Sequence, residues 1–166
     1  GIDNVNAGLI RACRSETRSG DLPLPSIVKI LLDQGADPEY IDSYEKEFNS
    51  IAYAFDNRRF NPEVVHMLLN NSKTGLNFLD EEGKGYAWHC NSIESYKFAS
   101  ENGVDMTTVF DGLTILDSVI DLCENTEFDQ RVSELEEVII YLKSIGVKQL
   151  RPCEMEDEDR IRLDLF

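Results

Sequence analysis

The stretch VKILLDQGADPE, residues 28–39, carries the clearest structural signal in the chain. Together with Ile27, its apolar residues Val28, Leu31 and Leu32 fall on one face of an α-helix. Gly35 follows at the point where a residue in the left-handed conformation commonly ends a helix. The stretch therefore predicts an amphipathic helix that stops at Gly35.

The same pattern recurs three more times. An apolar residue stands seven and four positions before Gly35, and comparable pairs precede Ser72, Gly103 and Gly146. The intervals between these stops are irregular but lie in the range of roughly 30 to 45 residues that is typical of helical-pair repeats. A short apolar stretch before each outer helix predicts an inner helix, at residues 5–13, 50–55, 86–90 and 114–123.

Residues typical of helix starts support this division. Asn61, Pro62 and Glu63 combine an N-cap residue, a proline in the first turn and an acid at the positive end of the helix dipole. Longer connections, at residues 14–25 and 124–132, separate the inner from the outer helix in the first and fourth pairs. Two further sequences resemble capping boxes and predict the starts of the third and fourth outer helices: Asn91 with Glu94, and Ser133 with Glu136.

These motifs resemble those of ankyrin repeat proteins. LLDQGADPEYID at residues 31–42 is similar to that family's outer helix and stop, and GKGYAWHC at residues 83–90 is a weaker copy of its inner helix. FDGLTILDSVIDL at residues 110–122 resembles the inner-helix signature more closely, with Gly112, Thr114, Leu116 and Val119 at the Gly, Thr, Leu and Ala places. No copy keeps the family's full Thr-Pro-Leu-His tetrapeptide, so the hydrogen bonds of that tetrapeptide are not assumed here.

The resemblance implies an all-α solenoid of about four repeats, each with a hairpin tip, a short inner helix and a longer outer helix. The repeats fall at about residues 3–39, 40–76, 77–107 and 108–150, within one ankyrin-like domain at residues 1–150. One repeat buries too little apolar surface to be stable, so neighbouring repeats must stack. Residues 151–166 form an acidic C-terminal tail, which is either a solvated arm or, through IRLDLF at its end, a cap on the last repeat.

The resemblance also implies a protein-binding module without catalysis. The binding surface is the concave face formed by the tips and inner helices, or else the long loops. For the candidate residues, explanations other than binding stay open: a single Trp is often a packing residue, and surface acids often form a solvated rim. The candidate contact residues provide charge or aromatic surface: Asp80, Glu81, Glu82, Asp111 and Asp117 for charge, and Tyr53, Tyr86 and Trp88 as aromatic anchors.

The net charge narrows the choice of partner. With 16 Lys and Arg against 32 Asp and Glu, the chain carries a formal charge of −16 and repels phosphate backbones and anionic lipid headgroups. We therefore expect a monomer that binds a basic protein surface, and neither nucleic acid nor a membrane; solubility alone is the other explanation of an acidic chain. Two narrower versions are a bacterial immunity protein that masks a basic nuclease and a secreted effector.

A small hydrolase or metal protein is the alternative of another class. Its candidate groups are Cys90 with His66 or with the adjacent His89, but neighbouring residues point apart along a helix, and no Cys and His cluster has the spacing of zinc ligands. Phosphate-binding loops and the nucleophile motifs of hydrolases do not occur in the sequence, so we expect no enzyme activity, cofactor or metal. The four scattered cysteines are typical of reduced thiols in a cytoplasmic protein, and no apolar stretch approaches the roughly 18 residues of a membrane span.

Overall fold

A computed structural model describes residues 1–14, 24–41 and 48–151, and within them the regular elements are helical. The all-α class expected from the sequence is confirmed for these residues. Residues 15–23, 42–47 and 152–166, which include most of the predicted first connection and of the predicted acidic tail, lie outside the described residues. The α-helices are α1 (Ile2–Arg14), α2 (Leu24–Asp33), α3 (Ser50–Asp56), α4 (Pro62–Asn70), α5 (Ile93–Glu101), α6 (Ile115–Glu124) and α7 (Asp129–Ser144), and two short 3-10 helices span Gly75–Asn77 and Tyr86–His89.

The chain divides into two compact units, Gly1–Val104 and Asp105–Phe166, called here the N-terminal and C-terminal units. In the N-terminal unit α1 packs against α2 and α3, α2 packs against α4, and α3 packs against α4 and the second 3-10 helix, which also contacts α5. In the C-terminal unit α6 packs against α7. Each predicted inner helix is thus followed by a second helix that packs on it. The second helix is the longer one in the last three pairs, whereas in the first pair α1 has 13 residues and α2 has 10.

Three helices end in the same way. Gly35, Gly103 and Gly146 each have φ of +87°, a conformation that glycine adopts without steric cost. The glycine N–H donates to the carbonyl three residues earlier, and the next N–H donates to the carbonyl five residues earlier, at distances of 2.9 to 3.2 Å. These two bonds satisfy carbonyls at the helix end, which explains why the predicted glycine stops are correct.

The remaining predicted stop, at Ser72 after α4, has a different structure. Helix α4 ends at Asn70, and Asn71 follows with φ of −105° rather than in the left-handed region. The side-chain amide of Asn71 donates to the carbonyl of Met67 at 2.8 Å, so a side chain satisfies this helix end. Ser72 instead donates its hydroxyl to Glu39, which also accepts from Thr74 and ties the first helix pair to the second.

Helix starts agree with the sequence at one place and differ at two. Asn61 caps α4, since its side-chain oxygen accepts from the N–H groups of Glu63 and Val64, as predicted. The capping box of α5 is formed by Ser92 with Ser95, one residue beyond the predicted pair of Asn91 and Glu94.

The predicted start of the fourth outer helix at Ser133 with Glu136 is wrong. Helix α7 begins at Asp129, behind Phe128, which makes no side-chain cap bond. Ser133 and Glu136 therefore lie inside the helix, and the connection from α6 to α7 is residues 125–128 rather than 124–132. The Ser-x-x-Glu pattern misleads here because it also occurs on the polar face of a continuous helix.

Each unit has its own apolar core. In the N-terminal unit the rings of Phe55 and Tyr86 stack with centroids 5.4 Å apart, beside the fully buried Leu9, Val28 and Leu68. In the C-terminal unit the buried side chains include Leu116 from α6 and Ile139 and Leu142 from α7. Among the described helices, none has both the length and the hydrophobicity needed to cross a membrane.

Candidate functional site

The acidic sequence LDEEGK at residues 79–84 forms a tight turn organised by Asp80. The Asp80 Oδ1 atom accepts hydrogen bonds from the backbone N–H of Glu82 at 2.9 Å and of Lys84 at 2.8 Å. The Asp80 N–H donates to the Lys84 carbonyl at 3.0 Å and closes the turn. Aspartate favours such turns because its short side chain reaches the backbone two residues ahead. One oxygen of Asp80 is thereby committed to the turn, while Oδ2 faces a histidine.

The second 3-10 helix, Tyr86–His89, directly follows this turn and positions two side chains beside it. The N–H of Trp88 donates to the carbonyl of Gly85 at 3.1 Å, which sets the first turn of the helix. Trp88 is half-buried, whereas the His89 side chain is only 4% exposed. The edge of the His89 ring meets Phe48 with ring centroids 4.6 Å apart. Phe48 thus supports the His89 ring through edge-on aromatic packing.

His89 is a buried polar residue whose Nε2 atom has no hydrogen-bond partner in the described part of the chain. Asp80 Oδ2 lies 3.6 Å from Nε2, just beyond ordinary hydrogen-bond distance, and acts on the imidazole as a neighbouring negative charge. Burial lowers the pKa of His89 below its usual 6.5, although Asp80 and Asp56 act to raise it. At neutral pH the imidazole is therefore uncharged, with one nitrogen able to donate and the other able to accept a hydrogen bond.

These residues line one open groove of about 350 Å³, called here the acidic groove. Three carboxylates and one ammonium group stand in its lining, so the groove carries negative charge. The ammonium group of Lys84 pairs with Glu82 at 2.7 Å. The lining residues are Phe48, Asp80, Glu81, Glu82, Lys84, Trp88 and His89.

Four of the predicted contact residues meet in this groove: Asp80, Glu81, Glu82 and Trp88. The sequence missed His89 and Phe48 as members of the site. His89 entered the sequence argument only as a metal or catalytic candidate, because its burial against Phe48 depends on tertiary packing. Tyr53 does not line the groove; its ring meets Phe48 edge-on at 5.2 Å, and the guanidinium carbon of Arg14 lies 5.8 Å from its centroid.

The prediction of Tyr86 as an exposed anchor is wrong. Tyr86 is 0% exposed, and its ring is stacked between Phe55 and Phe78, with centroids 5.4 and 5.2 Å away. Its hydroxyl accepts a hydrogen bond from the side-chain amide of Asn49 at 3.2 Å, and burial raises the pKa of Tyr86 well above 10. Tyr86 is a core residue that holds the 3-10 helix against α3.

Asp117 is also not a surface contact residue, since it is 1% exposed. Its carboxylate accepts from the N–H and the hydroxyl of Thr114, both at 2.9 Å, and completes a capping box at the start of α6. It also accepts from the backbone N–H groups of Leu150 and Arg151 at 3.0 and 3.1 Å. Thr114 and Asp117 therefore stiffen this helix start by hydrogen bonds of their own, where the Thr-Pro-Leu-His tetrapeptide is incomplete.

Asp111 is exposed at the tip of a two-residue hairpin in the C-terminal unit, and its role as a contact residue stays a prediction. Phe110 and Leu113 exchange two backbone hydrogen bonds of 2.9 Å. Asp111 and Gly112 both have positive φ, of 50° and 75°, as the favoured two-residue hairpin turn requires. This tip lies in the other compact unit from the acidic groove.

The two buried thiols, Cys13 and Cys90, give no support to the nucleophile alternative. Cys90 is buried, its Sγ donates to the Tyr86 carbonyl at 3.6 Å, and burial raises the pKa of the thiol far above its usual value. Burial likewise raises the pKa of Cys13 to about 12. A raised pKa suppresses the thiolate that nucleophilic catalysis needs. His66 meets Phe98 edge-on, at 4.9 Å between centroids, and no group of three His, Cys, Asp or Glu side chains converges for metal binding in the described residues.

Comparison of the chain with protein-family models, with curated proteins and with solved structures returned no match.

Proposed function

We propose that this chain is a protein-interaction module built from ankyrin-type helix pairs, and that it binds a basic surface of another protein through the acidic groove. The packing of consecutive helices in pairs, α1 with α2, α3 with α4 and α6 with α7, supports the ankyrin-type arrangement. So do the three glycine ends with the same pair of hydrogen bonds and the hairpin that precedes α6. Within the N-terminal unit, the packing of α1 on α3 and of α2 on α4 is the packing expected of stacked repeats.

The observation that carries the binding role is the composition of the acidic groove. Asp80, Glu81 and Glu82 line the groove with their carboxylates, and Trp88 and Phe48 provide aromatic surface in the same lining. Negative charge attracts a basic partner over distance and sets its orientation, whereas aromatic rings provide the contact energy at an interface. The acidic groove therefore provides both the negative charge and the aromatic surface that such an interface needs. Because Glu81 and Glu82 are exposed, they contribute mainly to the rate of association.

The test is affinity capture followed by direct measurement with the purified partner. The whole chain is immobilised beside the double variant Glu81→Gln with Glu82→Gln, and a lysate of the source organism is passed over both. We expect the wild-type chain to retain a basic protein that the variant retains much less, and the association rate with the purified partner to fall as salt rises from about 0.05 M to about 0.5 M.

A control for total charge is the double variant Glu134→Gln with Glu137→Gln, which removes the same charge from exposed positions of α7. Equal loss of capture in both double variants would show that only the net charge of the chain matters. Equal capture by wild type and both variants would contradict a binding role for the acidic groove.

A further inference from the structure

His89 is a buried titratable side chain in the lining of the acidic groove. Its side chain is 4% exposed, its Nε2 atom has no hydrogen-bond partner in the described residues, and its ring packs edge-on against Phe48. The turn held by Asp80 directly precedes the 3-10 helix that ends at His89. The turn and the 3-10 helix thus form one segment, residues 79–89, with a buried imidazole at its end.

Charged groups approach this imidazole from the turn and from α3. Within the described residues, the groups that act on its charge are Asp80 and Lys84 of the turn and Asp56 at the end of α3. Burial is the largest influence and lowers the pKa of His89 below its usual 6.5, while the Asp80 charge, with Oδ2 3.6 Å from Nε2, acts to raise it. The other charged residues of the turn and of α5, which also packs on the 3-10 helix, are exposed: Glu81, Glu82, Glu94, Lys97 and Glu101.

We propose that His89 is a pH-sensitive switch for residues 79–89: the uncharged ring keeps this segment packed, and protonation of the ring in mild acid opens the segment and with it the acidic groove. A buried cation is unfavourable because it has lost its hydration, so a protonated ring is more stable where water reaches it. Opening of the segment restores that hydration. The effect on binding rests on the proposed function, because the residues that open line the groove.

The pH range of the switch follows from the sign of the pKa shift. In the open segment the ring is hydrated and takes up a proton near its usual pKa of 6.5, whereas in the closed segment it does so at a lower pH. The closed segment therefore has its full stability above about pH 6.5 and loses it as the pH falls toward the pKa of the closed form. Within this interval the ratio of open to closed segment rises by at most about tenfold for each pH unit.

The first experiment is hydrogen exchange of the full chain, followed by mass spectrometry, at about pH 7.5 and about pH 5.5, with each rate divided by the intrinsic rate at that pH. We expect the protection of residues 79–89 to fall by about three- to tenfold at the lower pH. The protection of α6 and α7, which contain no histidine, should stay the same. Equal protection of residues 79–89 at the two pH values would overturn the proposal.

The chain has two histidines, so the second one provides a matched control. His89→Phe keeps a ring against Phe48 but cannot take up a proton, and the protection of residues 79–89 should then be independent of pH. His66→Phe makes the same change at an exposed position of α4 and should keep the loss of protection in acid. An acid-dependent loss that persists in His89→Phe would refute the role of His89.

Asp80→Asn tests the switch without a change of the ring, and decides the proposal if His89→Phe does not fold. The variant keeps an Oδ1 atom for the two backbone bonds of the turn but removes the charge that favours a proton on His89. We expect the NMR titration midpoint of the His89 ring to lie below 6.5 in the wild type and lower still in Asp80→Asn. The control Asp105→Asn, at a similar turn with Thr107, should leave the midpoint unchanged, and a higher midpoint in Asp80→Asn would contradict the proposal.

Binding provides the last readout and separates this inference from the proposed function. A partner held by the immobilised wild-type chain at about pH 7.5 should be released at about pH 5.5, whereas His89→Phe should retain it. Equal release from both chains would remove the switch and leave the binding module standing. Loss of protection in acid without any groove-dependent partner would do the opposite: the opening at His89 would stand, and the proposed function would fall.

Discussion

Replacement of Asp117 by alanine should destabilise the C-terminal unit far more than any exposed acid of the same helix. The Asp117 carboxylate is buried and accepts hydrogen bonds from Thr114, Leu150 and Arg151. It therefore joins the start of α6 to the segment that follows α7. The matched control is Asp121→Ala, one turn later in α6, where the carboxylate meets Arg151 at 3.3 Å and both side chains are about half exposed.

The expected loss of unfolding free energy follows from how deeply each N–H group that donates to Asp117 is buried. Loss of the carboxylate leaves the buried N–H of Thr114 without an acceptor, at a cost of about 1–3 kcal/mol. The N–H groups of Leu150 and Arg151 belong to exposed residues and can bond to water instead, so their loss adds about 1 kcal/mol. We expect a total of about 2–4 kcal/mol for Asp117→Ala and at most about 0.5 kcal/mol for Asp121→Ala.

The difference in unfolding free energy between wild type and Asp117→Ala should disappear in acid. The direction of this change follows from the pKa of Asp117. Burial acts to raise the pKa of Asp117, but hydrogen bonds from Thr114, Arg151 and Leu150 lower it to below its usual 3.8 in the folded chain. A carboxyl group with a lowered folded pKa contributes stability above its unfolded pKa and loses it as the pH falls through the folded pKa. The advantage of wild type over Asp117→Ala should therefore be constant from pH 7 to about pH 5 and shrink below about pH 4.

Urea unfolding followed by circular dichroism measures these quantities. The two variants and the wild type are compared at pH 7, and wild type and Asp117→Ala again at several acid pH values. Losses for Asp117→Ala and Asp121→Ala that agree within about 0.5 kcal/mol would refute the assignment of Asp117 as a buried hydrogen-bond centre. A difference between wild type and Asp117→Ala that grows in acid would refute the direction of its pKa shift.

Three further predictions concern the helix ends, the aromatic core and the thiols. Gly146→Ala should lower the free energy of unfolding in urea by about 1 kcal/mol, purely from its φ of +87°, since no atom lies within 4 Å of an added Cβ. Gly85→Ala, with φ of −86°, should lower it clearly less, and equal losses in the two variants would contradict this reasoning. Tyr86→Phe should cost about 1–2 kcal/mol because the buried amide of Asn49 loses its acceptor, and an unchanged midpoint would show that the bond contributes nothing. Cys90 should resist a thiol reagent in the folded chain, as mapped by mass spectrometry; rapid labelling would revive the hydrolase alternative.

The sequence predicts best those features that depend on a few neighbouring residues. Gly35, Gly103 and Gly146 end their helices because the left-handed conformation and two short backbone bonds are local properties. Asn61 caps α4 for the same kind of reason. The start of α7 was not predictable from a capping pattern, because Phe128 precedes it without a side-chain cap, and its position is determined by packing on α6.

The candidate site was predictable only in its exposed part. The acids of the turn at residues 80–84 are visible in the sequence because an aspartate, two further acids and a glycine define a surface turn by composition. Burial is a tertiary property, so the sequence could not distinguish the exposed Asp111 from the buried Asp117, or Trp88 at the groove from Tyr86 in the core. The same limitation hid His89, because its burial against Phe48 and beside Asp80 depends on tertiary packing.

Buried polar groups in the two units point to different roles. Asp117 is an example of a structural polar group, because donors from Thr114, Leu150 and Arg151 surround its carboxylate and lower its pKa. His89 is as deeply buried, yet its Nε2 faces Asp80 across 3.6 Å with no donor between them. Asp80 Oδ1 is bound within its own turn and Oδ2 lies beside the ring, so the carboxylate that shapes the turn also places a negative charge next to the buried imidazole. In the N-terminal unit the buried group is thus an uncharged ring accommodated by a neighbouring charge, whereas in the C-terminal unit the buried group is itself the charge and is accommodated by neutral donors.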